Sequence, residues 1–478
     1  MEHNPPPYKK ENYKFLAKLS WNDIHELRIP CKVFLPQKVF EHPQVYIYPN
    51  AEQFNILPDM KKCHLYGSIG DPIEIEIIGE QTHISGGWMR HWEPGLEEGY
   101  RKVYPSRLII IKHFNTDRYK SEESSFLFKL TPSLLLSPFD MREFHYTGEA
   151  KMNHGKRFHF KIEDGFDIEF LNYYKWINLR YEEALTYPEL VAIAKLACQP
   201  KEDDIQRYIS LIDDFLLLVS LAENRRCVIP QYEQHLSNSI IEIYRLDKLI
   251  PVESHKHSAN DLLIDFADFR NFMNNSWKSL RSSSQYELIK TALLAITSDV
   301  PKSIESKFMS LYSSIETLIL AFRRDNNFEF ILKEPGQVES FEKDLKSLIK
   351  KHEYFRNNKD ARSLIYQNIS GFLRLPLKRA FEEFIKTKGL DFSDLWPFFD
   401  DNLGCSLTKI RHRLVHGYGL AEQFLNSFVI ALECLKYYAK RLLLASLNWD
   451  FQESRLFRMP DSEIEKWKDA RANLHSWD

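Results

Sequence analysis

Two periods of hydrophobic placement divide the chain. From Tyr13 to about Tyr174 the apolar residues come in short runs rich in β-branched and aromatic side chains, separated by Pro, Gly, Asn and Asp. The runs are VFLP (33–36), VYIYP (45–49), IEIEIIG (73–79), RLIIIKHF (107–114), FLFKL (126–130) and RFHFKI (157–162). IEIEI and FHFKI alternate strictly, the period of a strand with one wet face. Strands in such number without long helices between them predict an antiparallel sandwich or barrel-like domain. After Tyr187 the spacing becomes that of a helix. PELVAIAKLA (188–197) and DDIQRYISLIDDFLLLVSLAENR (203–225) predict helices, and CVIPQY followed by IIEIYRL (240–246) predicts a hairpin. From about Ala259 onward nearly everything predicts helix, over 260–278, 284–297, 302–325, 337–352, 375–388, 401–415 and 420–447, with Pro301 and the Gly417/Gly419 pair as breakers. The last of these sets Leu420, Phe424, Phe428, Leu432, Leu435 and Leu442 along one stripe, which belongs against other helices.

The expected fold class is therefore α+β and multidomain, an N-terminal antiparallel β-rich domain followed by a C-terminal all-α bundle. At 478 residues the chain is long enough for two or three cores. The expected divisions are a β-rich domain over 1–180, a mixed helical connecting region over 181–255 and a helical domain over 256–478, the second boundary falling at the polar PVESHKHSAND stretch.

Composition changes this picture little. Hydrophobic residues make up 44% and charged residues 27%, as in a soluble globular chain. Net charge is −3, from 64 basic and 67 acidic side chains, so no global field attracts nucleic acid or anionic membrane and any RNA contact must be local. The six cysteines form no CxxC pair, which argues against a zinc ribbon or a disulfide framework. No run approaches the ~20 apolar residues of a membrane span, and MEHNPPPYKK has no signal-peptide core, so a cytoplasmic location is expected without a membrane partner. GxxxxGK[ST], GxSxG, HExxH and DxDxDG are all missing from the sequence. No cofactor and no metal site is expected.

The segment SLTKIRHRLVHGYG carries the chemistry. Ser406 is placed to cap a helix, Leu407, Ile410 and Leu414 recur at helical spacing, and Gly417 suits a left-handed terminus. Arg411 and His416 fall in its last turn and cap, about 140° apart around a regular helix, so unwinding near Gly417 would help them converge. Such a pair suits metal-independent RNA cleavage. His moves protons at neutral pH, Arg fixes a cation beside the phosphorus, and the 2′-hydroxyl serves as internal nucleophile. A solvated helix end, whose basic residues complement the macrodipole, is the plain structural reading of the same residues.

Arg411, the polar His412, three further residues, His416 and a following Gly, at the junction of two late helices, resemble the RxxxxH signature of HEPN domains. The resemblance implies a homodimer or higher homo-oligomer in which two copies of the motif form one ribonuclease site. Arg411 would bind and polarise the scissile phosphate, and His416 would act as general acid or base. His412 would support them, and Glu316 in SLYSSIETLILAF resembles the acidic residue some members place on an earlier helix. Lys409 and Arg413 are then expected as RNA phosphate contacts. The layout of a β-rich half before RHRLVHG is similar to that of ApeA-type HEPN proteins of bacterial phage defence, which implies abortive infection, RNA as substrate, and a phage-derived trigger sensed by the first half.

Other clusters weigh less. Trp88, Arg90 and Trp92 in GGWMRHWEPG form a recognition-loop candidate, with a buried corner as the equal alternative. His255 and His257 read as solvated, Cys63 and His64 lack a second ligand pair, and Glu74 and Glu76 read as the wet face of a strand. Asp203, Asp204, Asp213 and Asp214 suit no shared ion by helical angle. The rival to catalysis is a helical dimerisation or RNA-binding platform joined to a ligand-sensing β half.

Overall fold

A computed structural model of the chain describes residues 12–477 except 22–24, 37–41, 51, 54–62, 70–72, 80–100, 104, 114–123, 138–140, 145–149, 154–157, 164–165, 174–175, 180–181, 186–188, 197–201, 237–238, 247–258, 299–302, 333, 401–403, 451–453, 455 and 457. The chain forms two compact units, one of residues 1–219 and 226–261, the other of residues 220–225 and 262–478.

The first unit is built on strands. β1 (Asn12–Trp21), β2 (His25–Phe34), β3 (Gln44–Ile47), β4 (Cys63–Ser68), β5 (Ile73–Gly79), β6 (Arg101–Val103) and β7 (Arg107–His113) supply one flank of a thirteen-stranded antiparallel sheet. β8 (Ser124–Lys129), β11 (Phe158–Glu163), β12 (Phe166–Tyr173), β15 (Glu189–Leu196), β16 (Gln231–His235) and β17 (Ser239–Arg245) supply the other. The spatial order is β11-β12-β15-β8-β16-β17-β7-β5-β4-β1-β2-β3-β6. Two hairpins, β9 (Met141–Phe144) with β10 (Ala150–Asn153) and β13 (Trp176–Leu179) with β14 (Glu182–Leu185), pair by themselves.

Alternation sets the faces. Along β1, Tyr13, Phe15, Ala17 and Leu19 are buried while Lys14, Leu16 and Lys18 between them are exposed. Ile75 and Ile77 of β5 and Leu108 and Ile110 of β7 continue the same core, and Glu74 and Glu76 lie on the opposite face as expected. The hairpin predicted from CVIPQY and IIEIYRL (240–246) forms as β16 (Gln231–His235) and β17 (Ser239–Arg245). Helix α1 (Glu202–Glu223) covers β11 and β12, with Phe215 ring centroids 4.7 Å from Phe160 and 5.7 Å from Phe170.

The predicted helix over 188–197 is instead strand β15, paired with β12 on one side and β8 on the other. Leu190, Val191, Ala192 and Ala194 are buried in succession, so the strand is apolar on both faces and period 2 is lost from its sequence. The stretch 181–255 thus contributes β15, β16 and β17 to the sheet.

The second unit is helical. Its helices are α2 (Phe266–Ser282), α3 (Tyr286–Ile296), α4 (Ile304–Asp325), α5 (Pro335–Lys351), α6 (Glu353–Asn357), α7 (Lys359–Leu373), α8 (Leu377–Lys388), α9 (Leu407–Val415), α10 (Leu425–Ser446) and α11 (Asp461–His475). α4 is central and packs on α3, α8, α9 and α10. Its Phe308, Ile315, Leu318, Ile319 and Phe322 are buried, as are Phe424, Phe428, Leu432, Leu435 and Leu442 of the predicted stripe. The β-rich half followed by an all-α half is the layout the two hydrophobic periods predict.

Among the described residues no helix is long and apolar enough to cross a membrane. Cys31, Cys227, Cys405 and Cys434 are buried, and burial pushes the Cys434 thiol up to about 12.

Candidate functional site

The RHRLVH segment lies on α9, which starts six residues later than predicted because the backbone before it is turned by Gly404 at φ +128°. Ser406 caps the helix, its Oγ accepting the Lys409 N–H at 3.0 Å. At the other end the Gly417 N–H donates to Leu414 O at 3.2 Å and the Tyr418 N–H to Arg413 O at 3.1 Å. Gly417 has φ +80°, which completes a Schellman terminus. The helix therefore remains hydrogen-bonded up to His416, whose N–H donates to His412 O at 3.1 Å. It does not unwind to bring Arg411 and His416 together, and no hydrogen bond, ion pair or ring contact joins them.

Arg411 faces inward. Its guanidinium carbon lies 5.7 Å from the centroid of the Tyr312 ring on α4, and its buried Nε has no hydrogen-bond partner. Among the described residues no carboxylate pairs with this guanidinium. Tyr312 is held in turn by Thr408 at 3.0 Å; Thr408 donates its own proton to Phe398 O at 2.8 Å, so the phenol is the donor. Burial raises the Tyr312 pKa first, the Thr408 bond and Arg411 lower it, and the Glu316 charge raises it. Glu316, one turn beyond Tyr312 on α4 and partly buried, is therefore within electrostatic reach of the phenol that Arg411 covers. Sequence reading missed Tyr312 and Thr408. Their signal was spacing, since Tyr312 precedes Glu316 by four residues and Thr408 precedes Arg411 by three.

The histidines face outward. His412 and His416 are both exposed, with ring centroids 4.1 Å apart at an interplanar angle of 57°. Exposed Val415 (51%) and Tyr418 (52%) flank them, and Leu425 and Val429 are exposed at the start of α10. Lys409 is partly exposed, and its ammonium has no ion pair among the described residues.

Arg413 corrects the expectation of a phosphate contact. It is 4% exposed, donates to Leu474 O at 2.8 Å and to Cys405 Sγ at 3.7 Å, and stacks 5.4 Å from the Trp477 ring centroid. It ties α9 to α11. The reason is the helical angle: two residues beyond Arg411, it points to the side of α9 that α11 covers.

The remaining candidates separate. Trp88, Arg90 and Trp92 lie outside the described residues, as do His255 and His257. Asp213 is paired with Arg245 at 2.8 Å, while its neighbour Asp214 is buried. Among the described residues no three His, Cys, Asp or Glu side chains gather closely enough to hold a metal. His64 is bound to Glu76 at 2.7 Å.

One further charged cluster escaped sequence reading. On neighbouring strands of the first unit, Lys129 pairs with Glu233 at 3.1 Å, Glu233 with His235 at 3.1 Å, and Lys112 with Glu242 at 2.7 Å. Glu233 and Glu242 face each other across β16 and β17. Burial alone would raise the Glu233 carboxyl, but its bonds to His235 and Lys129 hold it at about 2. In Glu242 burial prevails over Lys112 and the pKa is raised.

No family model, no curated protein and no solved structure matches the chain.

Proposed function

We propose that the chain is a metal-independent endoribonuclease of the HEPN kind, with Arg411 and His416 as its catalytic pair. The observation that carries this is the state of Arg411. Arg413, Arg441 and Arg471 of the same helical unit all donate to backbone carbonyls, whereas Arg411 sits over an aromatic ring with a buried Nε left unsatisfied. A buried donor without a partner costs about 1 to 3 kcal/mol, a cost that an incoming phosphate oxygen would relieve.

In the proposed reaction the 2′-oxygen attacks phosphorus and the bond to the 5′-oxygen breaks. Arg411 stabilises the charge on the non-bridging oxygens. His416 takes the 2′ proton or returns one to the departing 5′-oxygen, and His412, its tilted ring 4.1 Å away, orients the His416 ring. The products are a 2′,3′-cyclic phosphate and a 5′-hydroxyl. Arg411 faces inward and His416 outward on one helix, which fits a site completed by a second copy; exposed Val415 and Tyr418 beside the histidines suit that contact. Glu316 belongs to the same neighbourhood through Tyr312, and Lys409 remains a phosphate contact. The proposed setting is the bacterial cytoplasm, where a phage-derived trigger sensed by the β-rich half releases RNA cleavage in abortive infection.

Purified protein incubated with total RNA in the presence of a chelator should leave 2′,3′-cyclic phosphate ends. Arg411→Ala or His416→Ala should lower the rate by at least 100-fold. Wild-type rates in both variants would reject the assignment. The separation of Arg411 from His416 within one chain also favours a second reading, a non-catalytic dimerising platform, under which both variants keep full biological activity.

A further inference from the structure

We infer that the tip formed by the end of α5, α6 and the start of α7 is a binding surface for single-stranded RNA. The choice of RNA rests on the ribonuclease reading above; the surface itself rests on charge and exposure. Its sequence, KKHEYFRNNKDAR over 350–362, interleaves basic and aromatic residues in a chain whose net charge is −3. Lys350, Lys351, Arg356 and Lys359 are all exposed, and none has an ion pair among the described residues. Other exposed cations of the helical unit do pair with nearby carboxylates, as in Lys436–Glu433, Lys466–Glu463, Lys468–Glu465 and Arg458–Asp461.

The two carboxylates within the tip do not cancel this charge. Against Glu353 and Asp360 the stretch sets Lys350, Lys351, Arg356, Lys359 and Arg362, which leaves it positive. Tyr354 stands among the cations with 63% of its surface exposed, its ring 5.1 Å from that of Phe355 in edge-to-face contact. A tyrosine of that exposure, braced by a second ring, is a stacking platform for an unpaired base.

The tip is also held in shape. Arg362 donates to Phe355 O at 3.1 Å, and the Tyr366 hydroxyl donates to Lys346 O at 2.9 Å, tying α7 back to α5. Cations without ion pairs around an exposed ring suit the phosphates and open bases of a single strand better than the buried base edges of a duplex.

The test uses the full chain and a fluorescein-labelled 2′-O-methyl oligouridine of about 12 nucleotides, which cannot be cleaved through its 2′-oxygen. Anisotropy should report binding that weakens as salt rises. Lys350→Gln, Lys351→Gln and Arg356→Gln together should reduce the slope of log affinity against log salt by about 2, at ~0.7 for each phosphate contact. Tyr354→Ala should weaken binding on the order of tenfold with the salt slope unchanged. Lys466→Gln with Lys468→Gln should leave both quantities as in the wild type. An unchanged slope in the triple variant, or a preference for a duplex of the same length, would overturn the inference. Cleavage is scored separately on natural RNA. Protein that binds through the tip but cleaves nothing retains this surface and loses the nuclease; protein that cleaves while the triple variant binds normally retains the nuclease and loses this surface.

Discussion

Arg411 and Arg441 show how two guanidiniums of one bundle come to different uses. Arg441 is 1% exposed, holds Asp394 through two bonds of 2.7 Å and donates to Leu456 O at 2.9 Å. Asp394 is strongly engaged in return: burial would raise its pKa, but Arg441 and the Met459 N–H bring it below the ordinary value. Removing one member of a buried pair strands the other, so Arg441→Ala should cost about 3 to 5 kcal/mol in urea unfolding. Arg411→Ala, which removes no bond within the chain, should stay within about 1 kcal/mol of wild type while losing cleavage. Equal destabilisation by both changes would show Arg411 to be structural. The same scale holds a pH signature. Glu233 has a folded pKa of about 2 against 4.5 unfolded, so its charge adds stability that is complete above 4.5 and lost as pH falls toward 2. That amounts to about 3 kcal/mol, and the difference between wild type and Glu233→Gln should shrink by this order as the pH is lowered through that window. Glu242 has the opposite sign: its raised pKa makes the folded chain lose stability as pH climbs above 4.5. Chemical denaturation of wild type, Glu233→Gln and Glu242→Gln across pH 2 to 7 separates the two.

At the scale of elements, the chain leaves α9 through a turn set by backbone geometry at Gly417. A Cβ added at Gly417 would meet nothing within 4 Å, so Gly417→Ala carries only the conformational cost of φ +80°, about 1 kcal/mol, measurable as a shift in the denaturation midpoint. These termini could be read in advance because Ser and Gly act through their own local chemistry, as with the Ser406 cap and the Gly417 turn. What could not be read depended on neighbours. β15 looks helical because Val191, Ala192 and Ala194 are apolar on both faces, and only β12 and β8 on its two sides make it a strand. α11 was missed because little of it is apolar: Trp467, Ala470 and Leu474 suffice to bury it, too few to print a period in DSEIEKWKDARANLH. The buried fate of Arg413 is of the same kind, since its partners Leu474 and Trp477 lie some sixty residues away in sequence. The layout of the fold and the ends of the motif helix were thus legible, and the side of α9 that meets solvent was not.

For the molecule as a whole, near-neutral charge with a local cluster of free cations predicts binding that is confined to one place and sensitive to salt. A site shared between two copies predicts, further, that turnover per chain falls on dilution below the dimer dissociation constant, to be followed by cleavage rate against concentration beside mass photometry. Constant turnover across the dissociation range would place the whole site in one chain. The order of strands adds a matter of time. β8 and β7, made early, are joined in the sheet only through β16 and β17, whose last residue is Arg245. On the ribosome the central sheet cannot close before that point, and non-local pairing of this kind is slow. The Arg411–His416 segment is made later, roughly ten to thirty seconds afterwards at ordinary rates of synthesis. The half expected to restrain thus has a head start in folding over the half expected to cut, and shuffling the two halves should harm the cell that makes them.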